Sequence, residues 1–269
     1  MAIAHRAQAA PTVDDIQIRE IGLHDLRLAL GRGWQAFISK RGDLVFIGFI
    51  YPAVALLAAL MAANVSVLPL VVPVAAGAIL MGPAAASGFY ELARREQLGL
   101  ESGWRHFFDA YRIATAESVA TLTAMVAVLF LGWIMCAWTI YLATMGAVPV
   151  ESPAAFVHAV FATRAGWNMM ALGNLVGLGF AIVALGMTVV SFPMLVDRRV
   201  GVATALRTSL RVTMKNPVTI ATWGLIVVAL LALGALPAFV GLGVVLPVLG
   251  YATWHLYTLA VERPEPGQR

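Results

Sequence analysis

Charge is what this chain has least of. Only 12% of its 269 residues are Asp, Glu, Lys or Arg, against 61% in the hydrophobic set. A soluble globular domain carries about 25% charged residues. At half that figure, with a mean hydropathy of +0.85, there is too little polar surface to cover a water-soluble particle, and the solvent must be partly lipid. Cysteine is nearly absent. The single Cys136 lies inside an apolar run, which excludes an intramolecular disulfide and a thiolate metal site and reads as a small apolar filler. Residues 1–19 lack an apolar stretch and a cleavage signature, so no secretory signal peptide is expected. No phosphate-binding glycine loop, nucleophile elbow, His-Glu-x-x-His pair or dinucleotide fingerprint occurs either.

What the chain has instead is long apolar runs. Six of them, near residues 43–63, 68–90, 118–145, 167–195, 218–236 and 239–259, can each cross a hydrocarbon core of ~30 Å, which takes about 20 helical residues. The expected fold is all-α: a polytopic membrane bundle of six transmembrane helices. Residues 1–18, polar and carrying Pro11, Asp14 and Asp15, are expected to be a disordered tail. Residues 19–262 form the membrane domain, and 263–269 a second tail.

The basic residues sort to one side of that bundle. Arg6, Arg19, Arg27, Arg32, Lys40 and Arg41 precede the first span. Arg94, Arg95, Arg105 and Arg112 follow the second. Arg198, Arg199, Arg207, Arg211 and Lys215 follow the fourth, and Arg263 and Arg269 follow the sixth; of the 18 Lys and Arg residues only Arg164 falls on the other side. The positive-inside rule then places both termini in the cytoplasm, and a bacterial inner membrane is the expected location. With a net charge of +4, the basic segments read as contacts to anionic headgroups of the bilayer rather than to nucleic acid.

Each pair of spans is preceded by an amphipathic stretch. The first carries Leu23, Leu26, Leu30, Trp34, Phe37 and Ile38 on one helical face. The second, residues 102–111, has Trp104, Phe107, Phe108 and Tyr111. The third, residues 202–214, has Val202, Leu206, Leu210 and Met214. Such helices lie in the membrane interface. Tyr90, Leu92 and Ala93 recur as Tyr257, Leu259 and Ala260 at the end of another even-numbered span. A three-fold repeat of interfacial helix plus helical hairpin, all units in one orientation, is therefore a candidate architecture.

Candidates for chemistry are sparse. Charges deep in a membrane mark ion paths, but here Asp43 and Glu117 lie at span edges. His255 is within a span, roughly 10 Å from its charged end at 1.5 Å per residue. It could be a haem or metal ligand or a proton shuttle. No second His or Cys lies three or four positions away, which favours an imidazole hydrogen-bonded to a neighbouring helix beside Trp254 and Tyr257. Pro83, Pro193 and Pro247, with Pro73, Gly82, Gly177, Gly179 and Gly250, punctuate the even-numbered spans. Proline frees a backbone carbonyl that needs a partner or a cavity, so these kinks either line a pathway or serve packing. Arg94, Arg95, Arg105 and Trp104 would suit an anionic lipid headgroup.

Three blocks carry a resemblance. They are Ser191, Phe192, Pro193, Met194, Leu195, Val196, Asp197 and Arg198; then Asn216 and Pro217; then the run from Leu246 to Tyr257. Together with Gly82, Pro83 and the stretch from Gly88 to Leu92, they resemble the bacterial integral-membrane family called domain of unknown function 2189, over about residues 18–262. The resemblance implies a membrane protein of proteobacteria; some members bear a cytochrome oxidase subunit I label. One intramembrane histidine does not support that activity, and Tyr251 stands where the family often has a second His. On these blocks, Gly82, Pro83, Tyr90, Glu91, Pro193, Asp197, Arg198, Pro247, Trp254, His255 and Tyr257 form the candidate functional or packing cluster.

The function expected from these features is non-catalytic. It is an accessory, assembly or scaffold role in a membrane complex, of respiratory type among others, with a membrane-protein partner or a second copy of the chain. No cofactor and no metal are expected. The alternative is a transporter, channel or lipid-handling protein for a small or apolar solute.

Overall fold

A computed structural model of the chain describes residues 16–39, 69–111, 116–146, 152–198, 200–237 and 240–262. Among the described residues the fold is all-helical, with no strand. In chain order the helices are α1 (Leu23–Ser39), α2 (Val71–Ala85), α3 (Ser87–Gln97), a 3-10 helix (Trp104–Tyr111), α4 (Ala116–Thr144), α5 (Pro153–Ala162), α6 (Arg164–Thr188), α7 (Ser191–Asp197), α8 (Val202–Lys215), α9 (Pro217–Ala235) and α10 (Leu242–Ala260).

Four segments are long and apolar enough to cross a membrane: Ala116–Thr144, Arg164–Asp197, Pro217–Ala235 and Leu242–Ala260. They answer to the last four expected runs. The run at 43–63 lies outside the described residues. The run at 68–90 is divided: α2 has 15 residues with Pro83 inside it, and Ala86 separates it from α3. Proline removes a backbone donor there.

Burial is uneven along the bundle. In α4 and α9 only 22% of the apolar window is buried, against 61% in α10. Leu131 and Met135 on α4, Leu175 and Leu178 on α6, and Leu225 and Leu233 on α9 all face outward, as lipid-facing side chains do. The main core lies at the other level, where the charged residues collect. It is built from α1, α3, the 3-10 helix, α7, α8, the first turns of α4 and α9, and the second half of α10. α10 is its post, with α1, α3, α7 and α9 packed around it.

Close approach explains two glycines. A Cβ on Gly33 would stand 2.7 Å from the Val248 carbonyl oxygen and 2.8 Å from the Ala252 Cβ, so α1 can lie against α10 only without one. A Cβ on Gly88 would meet the ring of Phe107, which stacks edge-on against Phe89 with centroids 5.0 Å apart.

Two expectations about the amphipathic stretches need correction. On α1 the buried stripe is Leu26, Ala29, Gly33, Ala36 and Phe37, whereas Leu23, Trp34 and Ile38 are exposed. Small residues at Ala29, Gly33 and Ala36, set between Leu26 and Phe37, let the two backbones approach. The second stretch is a 3-10 helix. Its three-residue turn buries Phe107 and exposes Phe108.

The tail boundary also moves. Residues 16–18, assigned to the disordered tail from sequence, are docked. Ile18 forms an antiparallel bridge with Val261. The Arg19 N–H donates to the Ala260 carbonyl at 2.9 Å, and the Glu262 N–H to that of Gln17 at 3.0 Å. Asn216, at the break between α8 and α9, holds the same segment. Its Oδ1 accepts from the Ile21 N–H at 2.9 Å and its Nδ2 donates to the Arg19 carbonyl at 3.2 Å.

Candidate functional site

Four of the sequence-selected residues, Glu91, Asp197, Arg198 and Tyr257, converge where α3, α7 and α10 meet. Glu91 on α3 is 2% exposed. A buried carboxylate must be paired and hydrogen-bonded, and this one is. The Arg94 guanidinium grips both its oxygens, Nε and Nη2 each donating at 2.8 Å, and Arg95 Nε donates at 2.8 Å. Helical spacing delivers both arginines, which sit three and four residues on. Arg95 reaches further, donating through Nη2 to Asp109 of the 3-10 helix at 2.9 Å.

The second half joins α7 to α10. The Tyr257 hydroxyl donates to Asp197 Oδ2 at 2.8 Å, and Arg198 Nε donates to the Tyr257 oxygen at 3.2 Å. Arg198 Nη2 also donates to the Glu262 carbonyl at 2.5 Å, so this arginine caps the end of the chain's last helix. Arg94 links the halves. Its hydrogen bonds with Glu91 raise the guanidinium pKa above its ordinary value against the cost of burial, and the charges of Glu91 and Asp197 add to that. Three carboxylates (Glu91, Asp109, Asp197) thus meet three guanidinia (Arg94, Arg95, Arg198). The cluster is internally neutral.

The remaining candidates surround this network. Tyr90 and Trp254 are buried in the core, and the Trp254 ring lies 5.7 Å from that of Tyr257. His255 faces α3, its Nδ1 3.4 Å from Gln97 Nε2, a contact to a neighbouring helix as weighed from the sequence. Arg32, Ser39, Glu96 and His255 line a cleft of about 300 Å³ there. Gly82 and Pro83 lie on α2 and Pro247 on α10, and none takes part in these ion pairs. Pro193 has a separate role. It deprives the Val189 carbonyl of its helical donor, and the helix breaks between α6 and α7. Ser209 of α8 spans the gap, donating to the Gly186 carbonyl at 2.7 Å while accepting from the Val190 N–H at 3.2 Å.

The headgroup reading does not fit Arg94 and Arg95, which turn inward to Glu91 and Asp109, whereas Arg105 is exposed and pairs with the equally exposed Glu101. Sequence reasoning also passed over Ser209, and it named Asn216 without giving it a role. The Asn-Pro pair was the available signal for Asn216, because proline at the first helical position follows a residue free to bond elsewhere. Among the described residues no group of three or more His, Cys, Asp and Glu side chains is placed to hold a metal ion.

Residues 70–197 match the family described as predicted integral membrane protein, DUF2189. No curated protein and no solved structure matches the chain.

Proposed function

Taking as premise that residues 70–197 carry the sequence of this integral-membrane family, we propose that the chain is a non-catalytic accessory, assembly or scaffold component of a larger membrane complex. The carrying observation is the neutral ion network. Its carboxylates and guanidinia are satisfied by one another, on helices whose ends they fix, rather than directed into a cavity. Buried pairs of this kind specify geometry more than they add stability. The product is a rigid, charge-ringed end beneath spans whose outer faces are apolar and open to lipid, to a partner or to a second copy.

The topology proposed with it has six spans, residues 43–63 supplying the first, in a bacterial inner membrane with both termini cytoplasmic. The distribution of Lys and Arg supports that sidedness, and anionic headgroups are the partners it implies. The three-fold repeat gains support from packing. The 3-10 helix lies on α3, α8 on α7 and α1 on α10, so each amphipathic segment rests on the charged end of an even-numbered span. The alternative of a transporter, channel or lipid-handling protein asks the proline kinks to line a pathway, whereas Pro193 and Pro247 are packed into the core.

Affinity purification from native membranes in mild detergent, with mass spectrometry and a visible absorption spectrum, tests the proposal. A stoichiometric membrane-protein partner is the expected result. Recovery of this chain alone, with no complex lost on gene deletion, would overturn it and direct uptake assays to Pro83, Pro193 and Pro247 variants.

A further inference from the structure

α6 carries a carboxamide where lipid is expected. Asn174 is exposed on this helix, and Leu172, Leu175 and Leu178 around it are exposed as well. It lies ~15 Å from the Arg164 end and ~21 Å from the Thr188 end at 1.5 Å per residue. Both distances put it inside a hydrocarbon core of ~30 Å.

The side chain is only half satisfied. Nδ2 donates to the Met170 carbonyl at 2.8 Å, which uses one of its two hydrogens. The second hydrogen and Oδ1 meet no protein group among the described residues. Exposed hydroxyls on the neighbouring span fare differently. Thr121 and Thr139 of α4 each donate to the carbonyl four residues back, at 2.8 and 2.9 Å, and a hydroxyl has no second hydrogen to place. An amide left facing hydrocarbon is costly, and the partner it needs at that depth comes from another helix.

The surface around it suits such a helix. Ala171, Asn174, Leu178 and Ala181 are all exposed, and their three-four-three spacing makes one seam of the kind found in left-handed helix pairs. The alanines let a second backbone come close. The amide selects which helix it is. One donor and one acceptor remain on Asn174, so the group is complementary to itself. A second copy of the chain, turned about a two-fold axis, brings the same group to the same depth, and symmetry makes the contact reciprocal.

We infer that α6 is a homodimer interface, in which two copies pack along this seam and each Asn174 donates to the Oδ1 of the other. The dimer goes beyond the accessory role proposed above and does not depend on it.

Energy transfer between donor- and acceptor-labelled full-length chains tests it, in liposomes of phosphatidylethanolamine and phosphatidylglycerol over a range of protein-to-lipid ratios. Wild type should show saturable transfer. N174L, which alters a lipid-facing side chain, should weaken association about tenfold, the scale of an interhelical amide contact. N174Q should recover part of the loss. N168L replaces another exposed asparagine, but one only ~6 Å from the Arg164 end, where water can satisfy it, and should leave association unchanged. A second readout keeps Asn174 in place. In a Cys136→Ala background, Ala171→Cys and Leu178→Cys should form disulfide-linked dimers on mild oxidation, whereas Leu225→Cys, exposed on α9, should not. Absence of transfer in the wild type overturns the dimer. N174L associating as well as wild type, or cross-linking at Leu225 as fast as at Leu178, overturns its siting on this seam. Association that depends on Asn174 but occurs only with a different membrane protein, copurified from native membranes, gives the seam to that partner and overturns the second copy.

Discussion

Tyr257 and Asp197 are joined by a 2.8 Å hydrogen bond across 60 positions of sequence. The phenol is fully buried and the carboxylate side chain is 6% exposed, so neither can turn to water for a replacement. Tyr257→Phe should destabilise the protein by about 2 kcal/mol, the range for a hydrogen bond to a charged group. Reversible unfolding in detergent measures it, and a loss below about 0.5 kcal/mol would show that the link is idle.

Glu91 answers two arginines. Glu91→Ala leaves both guanidinia without it in a buried setting, at a cost of about 3–5 kcal/mol. Glu91→Asp keeps the charge and should recover part of that. If the two variants unfold alike, the charge is not what matters at this position.

Asn216→Ala removes the acceptor of the Ile21 N–H and a donor to the Arg19 carbonyl. Faster amide hydrogen exchange through residues 18–21, with α4 and α6 unchanged, is the expected signature of local release. Uniform acceleration across the chain would instead mean global destabilisation.

Sidedness has a direct readout. In a Cys136→Ala background, Arg105→Cys and His158→Cys place single thiols on exposed positions near opposite ends of the bundle. A membrane-impermeant thiol reagent applied to intact spheroplasts should label the second and not the first. The reverse pattern would invert the proposed orientation.

The apolar runs at 118–145, 167–195, 218–236 and 239–259 were legible because length and hydropathy alone decide them. Glu91, Asp197, Arg198 and Tyr257 were grouped from the blocks that carry the family resemblance, and their actual contacts come from the fold. The inward turn of Arg94 and Arg95 was not legible. A guanidinium beside a span looks the same in sequence whether it faces lipid or a buried carboxylate, and only the fold brings Asp109 within reach. The role of Gly33 was hidden for a related reason. Apolar periodicity weights large side chains, and on α1 two of them, Trp34 and Ile38, point away from the protein. Ser209 carries no pattern at all, because its partner is a gap in another helix.

The contact of α1 with α10 sets an order of events in biogenesis. α1 is made well before α10, the helix that fits against Gly33, and the other described helices come between them. Until α10 is made the face around Gly33 lacks its native partner, although α9 already touches α1. The antiparallel bridge between Ile18 and Val261 forms later still. Native structure at the charged end therefore closes only after α10 has been made, and a chain released before residue 261 could insert its apolar helices yet never form that bridge.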